Sequence, residues 1–124
     1  MKNSGQQIMS LNVKHGEIWI ADLNPRFGAE PGKLRPILVW QNQALLDAAH
    51  PSTIILPLTT RQVSNAMPLR VRIEEHMKLL QDSDILIDQI RAIDNQRIST
   101  GPIGRLAGQQ LIEVEAALNT ILQA

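Results

Sequence analysis

Cysteine is absent from this chain of 124 residues, which excludes thiol catalysis, a disulfide scaffold and the usual thiolate zinc sites. Tyrosine is absent as well, and Trp19, Trp40 and Phe27 are the only aromatic side chains. Three rings are too few for the platform on which single-strand binders stack successive bases, so Trp19 and Trp40 are assigned to the core or to a subunit contact. Long apolar runs are also missing. No segment approaches the roughly 20 residues that a bilayer requires, and the polar start MKNSGQQIMSLNVKHG lacks a signal-peptide pattern. The expectation is a soluble, cytoplasmic protein with no membrane partner. Neither a G-x-S-x-G elbow nor a P-loop nor G-x-G-x-x-G occurs, so phosphate cradling by a glycine loop is not supported. His15, His50 and His76 lie far apart with no metal-ligand spacing, and no metal or other cofactor is expected.

A chain of this length can bury about two thirds of its unfolded surface as one domain. Residues 13–124 are read as that domain, and residues 1–12 as a flexible tail. The formal net charge is zero, but it is unevenly spread. Residues 26–72 hold Arg26, Lys33, Arg35, Arg61, Arg70 and Arg72 against Glu30 and Asp47, a balance of 6 − 2 = +4. Residues 73–124 hold four basic against eight acidic side chains, 4 − 8 = −4. A basic middle suits a groove for a polyanion; the alternative is that folding interleaves the two halves and cancels the asymmetry.

Strands are predicted where β-branched residues cluster between turn signals: EIWIADL (17–23), RPILVWQ (35–41), STIILPLTT (52–60) and LRVRIEE (69–75). The second is almost continuously apolar, so both of its faces should be covered. In the fourth, Leu69, Val71 and Ile73 should face inward and Arg70, Arg72 and Glu74 outward. DILIDQIRAID (84–94) reads as a long or bulged strand, and NQALLDAAH as one or two helical turns. GQQLIEVEAALNTILQ closes the chain as a helix with Leu111, Val114, Leu118, Ile121 and Leu122 on one face. Four to six strands and a terminal helix imply a mainly β fold, a small, strongly bent sheet or partly closed barrel.

Polar residues gather at the predicted strand ends: Glu30, Lys33 and Arg35 around the loop NPRFGAEPGK, Thr59, Thr60 and Arg61 after the third strand, and Asp88, Gln89 and Arg91 within the fifth. In a small barrel such ends converge on one rim, where a site needing no cofactor can be assembled. Arg35 stands directly before Pro36, which pushes it toward extended backbone. Taken alone it reads equally as the start of a strand or as a solvated charge.

HGEIWIADLNPRFGAEPGKLRPILVWQN, followed by STIILPLTT, PLRVRIE and DSDILIDQIRAIDNQRI, resembles the MazF/PemK (Kid-like) toxins over about residues 14–122. The resemblance implies an SH3-like barrel, a homodimer, and a metal-independent endoribonuclease that cuts single-stranded RNA at short sequences. It also implies an antitoxin partner with a disordered C-terminal segment. Cleavage would run by attack of a ribose 2′-hydroxyl on its own 3′-phosphate. By position in the family, Arg35 is the catalytic arginine and Thr59 its hydroxyl partner. Asp88 stands where the Kid-like branch has its carboxylate base, although that branch has an arginine where this chain has Leu86. A salt bridge or turn cap is the competing role for Asp88. Glu30, Lys33, Thr60, Gln89 and Arg91 are the candidate RNA contacts, Glu30 matching the loop glutamate of the family, with Pro31 in place of a common glutamine beside it. Asp88 and Gln89 can serve one site only if their strand is bulged.

Two other readings differ in class. A CcdB-like gyrase poison would share the fold, but that type uses aromatic and small apolar residues at its extreme C-terminus, where this chain ends TILQA. A barrel that binds RNA or antitoxin without cutting is the third, and the presence of both Arg35 and Thr59 argues against it.

Overall fold

The computed structural model describes residues 12–25, 28–30 and 32–123. The tail expected over residues 1–12 lies outside them apart from Asn12, as do Arg26, Phe27 and Pro31. Seven strands form one antiparallel sheet: β1 (Glu17–Asp22), β2 (Leu34–Val39), β3 (Ser52–Thr59), β4 (Arg70–Ile73), β5 (Ser83–Leu86), β6 (Arg91–Asp94) and β7 (Ile98–Arg105). Their order is β4-β5-β3-β2-β1-β7, with β6 also paired to β3. The expected mainly β fold with a terminal helix is therefore present. The sheet is not closed, because among the described residues no ladder joins β4 to β7.

The two helical elements that the sequence implies, one or two turns after β2 and a terminal helix, both form. Helix α1 (Gln43–Asp47) is capped by Asn42, whose side chain accepts from the Ala44 N–H at 2.8 Å. Helix α2 (Gly108–Leu122) starts where the Gln110 side chain accepts from the Ala107 N–H at 2.8 Å, and it lies over β4.

Both faces of the central strands are buried. Ile18, Leu38, Leu56 and Leu58 pack toward Val114, Ala117 and Leu118 of α2. Trp19, Ala21, Ile37, Val39 and Ile55 pack on the opposite face with Ile93 and Ile98. Ile37, Leu38 and Val39 are all fully buried, each contributing about 1.5–3 kcal/mol. The continuous apolar run of β2 thus reflects a strand covered on both sides.

The structure departs from the sequence reading in four places. Strand β7, ISTGPIGR, was not foreseen, because two glycines and a proline hide it. Gly101 is there for space: a Cβ at that position would lie 2.5 Å from Cδ2 of Trp19. Leu69 precedes β4 and is 48% exposed rather than inward-facing. Leu122, in the last turn of α2, is 58% exposed, and Ala117 takes the place assigned to it in the core. The predicted strand over 84–94 is broken into β5 and β6 by a 3-10 turn, Ile87–Gln89. Leu58 pairs with Ile85, a register that would bring Ile55 to Asp88; Ile55 instead pairs with Arg91, three residues further on. The turn loops those three residues out of the ladder.

Candidate active site

The site grows from one row of residues across the sheet. In the β2–β3 ladder Ile37, Leu38 and Val39 face Pro57, Leu56 and Ile55, and the same register carried two residues on sets Arg35 across from Thr59. On the other edge of β3, Thr59 faces Asp84, and Asp84 faces Arg72. Directly opposed residues share a face, so Arg72, Asp84, Thr59 and Arg35 lie side by side across four strands.

Arg35 is oriented by backbone carbonyls. Its Nε donates to Gly32 at 3.1 Å and its Nη1 to Leu58 at 3.2 Å. The Thr59 hydroxyl accepts from the Arg61 N–H at 3.2 Å, which leaves its own proton to donate. Both residues line a cavity of about 550 Å³ together with Glu30, Lys33, Thr60, Arg61 and Arg70. They also line a smaller one of about 210 Å³ that reaches Ser83.

The loop carrying Glu30 and Lys33 is tied at its base. The Lys33 N–H donates to Asn24 Oδ1 at 2.7 Å, and the Leu23 N–H donates to the Lys33 carbonyl at 2.9 Å. The Arg97 guanidinium donates to the carbonyls of Asp22 and Asn24. Lys33 itself has a φ of 67°, the left-handed turn that feeds the chain into β2.

Five of the eight candidate residues therefore meet at one cavity: Arg35, Thr59, Glu30, Lys33 and Thr60. Arg91 approaches them through Glu30, with Nη1 at 3.9 Å from Oε1, and that nitrogen is buried with no hydrogen-bond partner among the described residues. Asp88 and Gln89 are not among the described residues lining the cavity. They sit on the 3-10 turn, Asp88 exposed and Gln89 half-buried. Among the described residues, no group of three or more His, Cys, Asp or Glu side chains is placed to hold a metal ion.

The sequence reading missed Arg70 as part of this cavity, and with it Asp84. Asp84 is 1% exposed and is covered by two arginines. Its Oδ1 accepts from Arg72 Nε at 2.8 Å, and its Oδ2 from Arg70 Nη1 at 3.2 Å and from the Val63 N–H at 3.1 Å. Burial pushes the Asp84 carboxyl up, but these donors outweigh it and hold the group below the usual carboxylate range. The hydrogen bond to Asp84 in turn raises the Arg72 guanidinium above its ordinary value. The only sequence signal was an aspartate inside SDIL, a strand buried throughout. Folding thus cancels part of the basic excess. The 550 Å³ cavity still carries Lys33, Arg35, Arg61 and Arg70 against Glu30, a balance of 4 − 1 = +3, as a polyanion site requires.

A family model described as a PemK-like, MazF-like toxin of type II toxin-antitoxin system matches residues 14–122. The chain belongs to this family. Endoribonuclease EndoA of Bacillus subtilis (strain 168) is 36% identical over 111 residues, covering 89% of this chain and 94% of that protein. Endoribonuclease MazF of Staphylococcus epidermidis is 34% identical over 112 residues, covering 89% and 91%. The PemK/MazF fold is also met among solved structures. MazF from Deinococcus radiodurans aligns with a TM-score of 0.75 at 22% identity, covering 90% of this chain and 97% of that one. A MazE-MazF structure from the same organism aligns with a TM-score of 0.68 at 19% identity, covering 89% and 94%.

Proposed function

We propose that the cavity at Arg35 and Thr59 is the cleavage site of a MazF-like toxin endoribonuclease that cuts single-stranded RNA. The family and the two curated relatives, both endoribonucleases, support the activity. The observation that carries the site is that Arg35 and Thr59 line one cavity rich in cations.

RNA supplies its own nucleophile. The 2′-oxygen attacks the adjacent phosphorus, so that the O2′–P bond forms as the P–O5′ bond breaks. The 2′-hydroxyl proton passes to a base and the departing 5′-oxygen takes up a proton, leaving a 2′,3′-cyclic phosphate and a 5′-hydroxyl. Negative charge gathers on the non-bridging oxygens of pentavalent phosphorus. The planar guanidinium of Arg35, oriented by the carbonyls of Gly32 and Leu58, stabilises that charge. A guanidinium stays protonated near neutrality and is a poor base, so its role is electrostatic. Thr59 donates its hydroxyl proton to a phosphate oxygen. Lys33 holds a flanking phosphate, and Thr60, Gln89 and Arg91 contact the RNA. Two carboxylates compete for the base: Glu30, which lines the cavity, and Asp88, which does not. Glu30→Gln and Asp88→Asn, compared in kcat against pH, separate them, because only loss of the base removes the acidic limb of the profile.

The partner is an antitoxin, in line with the MazE-MazF structure that shares the fold. Its disordered C-terminal segment would fold along the groove with acidic side chains at the phosphate positions, and the toxin would act as a homodimer. RNA and antitoxin then exclude each other. Simultaneous tight binding of both at one site would contradict this.

The activity is tested by incubating the protein with a mixed RNA pool in EDTA, mapping the cut sites, and repeating with Arg35→Ala and Thr59→Ala. Cutting at short, repeated sequences by the parent and its loss in both variants is the expected result. Intact RNA with the parent would refute the reading.

A further inference from the structure

We infer that the RNA track continues past the cleavage cavity across Arg70, and that Asp84 is the positioning residue which holds Arg70 there to grip a neighbouring phosphodiester. This rests on the ribonuclease reading of the Arg35 cavity.

Arg70 lines two cavities. One is the 550 Å³ cavity with Arg35 and Thr59; the other, of about 370 Å³, is lined by Val63, Ser64, Asn65, Met67, Arg72 and Asp84 as well. The guanidinium thus stands on the boundary between two openings on one face of the sheet. An RNA strand with its scissile phosphate at Arg35 that runs on into the second opening must pass this cation. Each volume lies in the range of clefts that take small organic groups, so the second opening suits the next nucleotide and Arg70 the phosphate that joins the two.

Placement of the donors supports that role. Arg70 Nη1 donates to Asp84 Oδ2 at 3.2 Å and to the Arg61 carbonyl at 2.7 Å. Among the described residues Nε and Nη2 make no hydrogen bond, so three N–H groups are left for an anion. The head group is held in place, and the side chain is yet 25% exposed. Side-chain entropy that a free arginine would lose on binding has already been lost in the fold.

Charge points the same way. Asp84 faces Arg70 and Arg72 with one carboxylate, so the cluster keeps 2 − 1 = +1. Arg61 and Lys33 add to it from the adjoining loops, while Glu30 lies against Arg91. A carboxylate buried only to balance two cations would favour no ligand. One that anchors two cations and leaves one charge unmatched beside a cavity favours an anion.

The test uses the full chain and oligoribonucleotides built around its mapped cut site, shortened one nucleotide at a time from either end. Arg70→Gln should raise KM about tenfold on the full-length oligomer, the loss of one charged hydrogen-bonding group, with kcat little changed. The magnitude of the slope of log affinity against log salt should fall by about 0.7, one single-strand phosphate contact. Removing the nucleotide that reaches Arg70 should cost the parent the same factor and cost Arg70→Gln nothing further. Arg70→Lys should recover part of the loss. Asp84→Asn should raise KM in the parent background and leave it unmoved in the Arg70→Gln background, a coupling that a purely structural role would not produce. If Arg70→Gln weakens every truncated oligomer equally, or none, the inference is overturned while the ribonuclease reading stands. A parent protein that cuts no RNA overturns both.

Discussion

Arg35 is a charge with a fixed direction, and its direction is what a substitution should expose. Arg35→Lys keeps the charge but loses the fork and its bonds to Gly32 and Leu58. We predict a fall in kcat of at least about tenfold for Arg35→Lys and about 10²–10³-fold for Arg35→Ala, with unfolding midpoints close to the parent's. Asp84 makes a prediction about stability. Because the folded protein lowers its carboxyl below the usual value, folding favours the charged form. That contribution is fully present above about pH 4 and is lost as pH falls through the lower folded value. The parent's resistance to denaturant should therefore fall as the pH is lowered from about 4, and Asp84→Asn should start less stable and decline less steeply. Arg35 and Thr59 were singled out by their positions in the family pattern; taken alone, an arginine before a proline reads equally as a strand start or a solvated charge. Asp84 and Arg70 were not, because the alternation in β4 sends Arg70 outward correctly but says nothing of which strand lies next to it.

Among the elements, β1 to β4 and α2 were legible because β-branched runs and helical periodicity are written in consecutive residues. Strand β7 was not. Its sequence looks like a turn, and the reason for Gly101 sits in β1, where the Trp19 ring occupies the space a side chain would need. Gly101→Ala should cost about 1–3 kcal/mol in urea unfolding by overpacking. A neutral result would mean that β7 or the ring shifts freely. The break between β5 and β6 was half legible: a bulge was anticipated, but a three-residue turn depends on where β3 resumes pairing, at Ile55 with Arg91. Asp88 sits on that turn and is not among the described residues that line the cavity, whereas Glu30 is.

At the scale of the whole molecule, a neutral chain keeps a local excess of positive charge because β3 gathers contributions from both its edges. Arg35 comes to it through β2, and Asp84 with its arginines through β5 and β4. The two-sided core makes this frame stiff: with Ile37, Leu38, Val39, Ile55, Leu56 and Leu58 fully buried, the strands cannot slide without turning apolar side chains out. The rim is therefore set before any substrate arrives, as electrostatic stabilisation of a transition state demands. The most direct test of that claim measures single-turnover cleavage and equilibrium binding of one oligoribonucleotide, in EDTA, for the parent and Arg35→Ala. The prediction is a rate at least about a hundredfold lower in the variant, with Kd changed by less than about tenfold. A rate and an affinity that fall together, or a variant that cuts as fast as the parent, would contradict it.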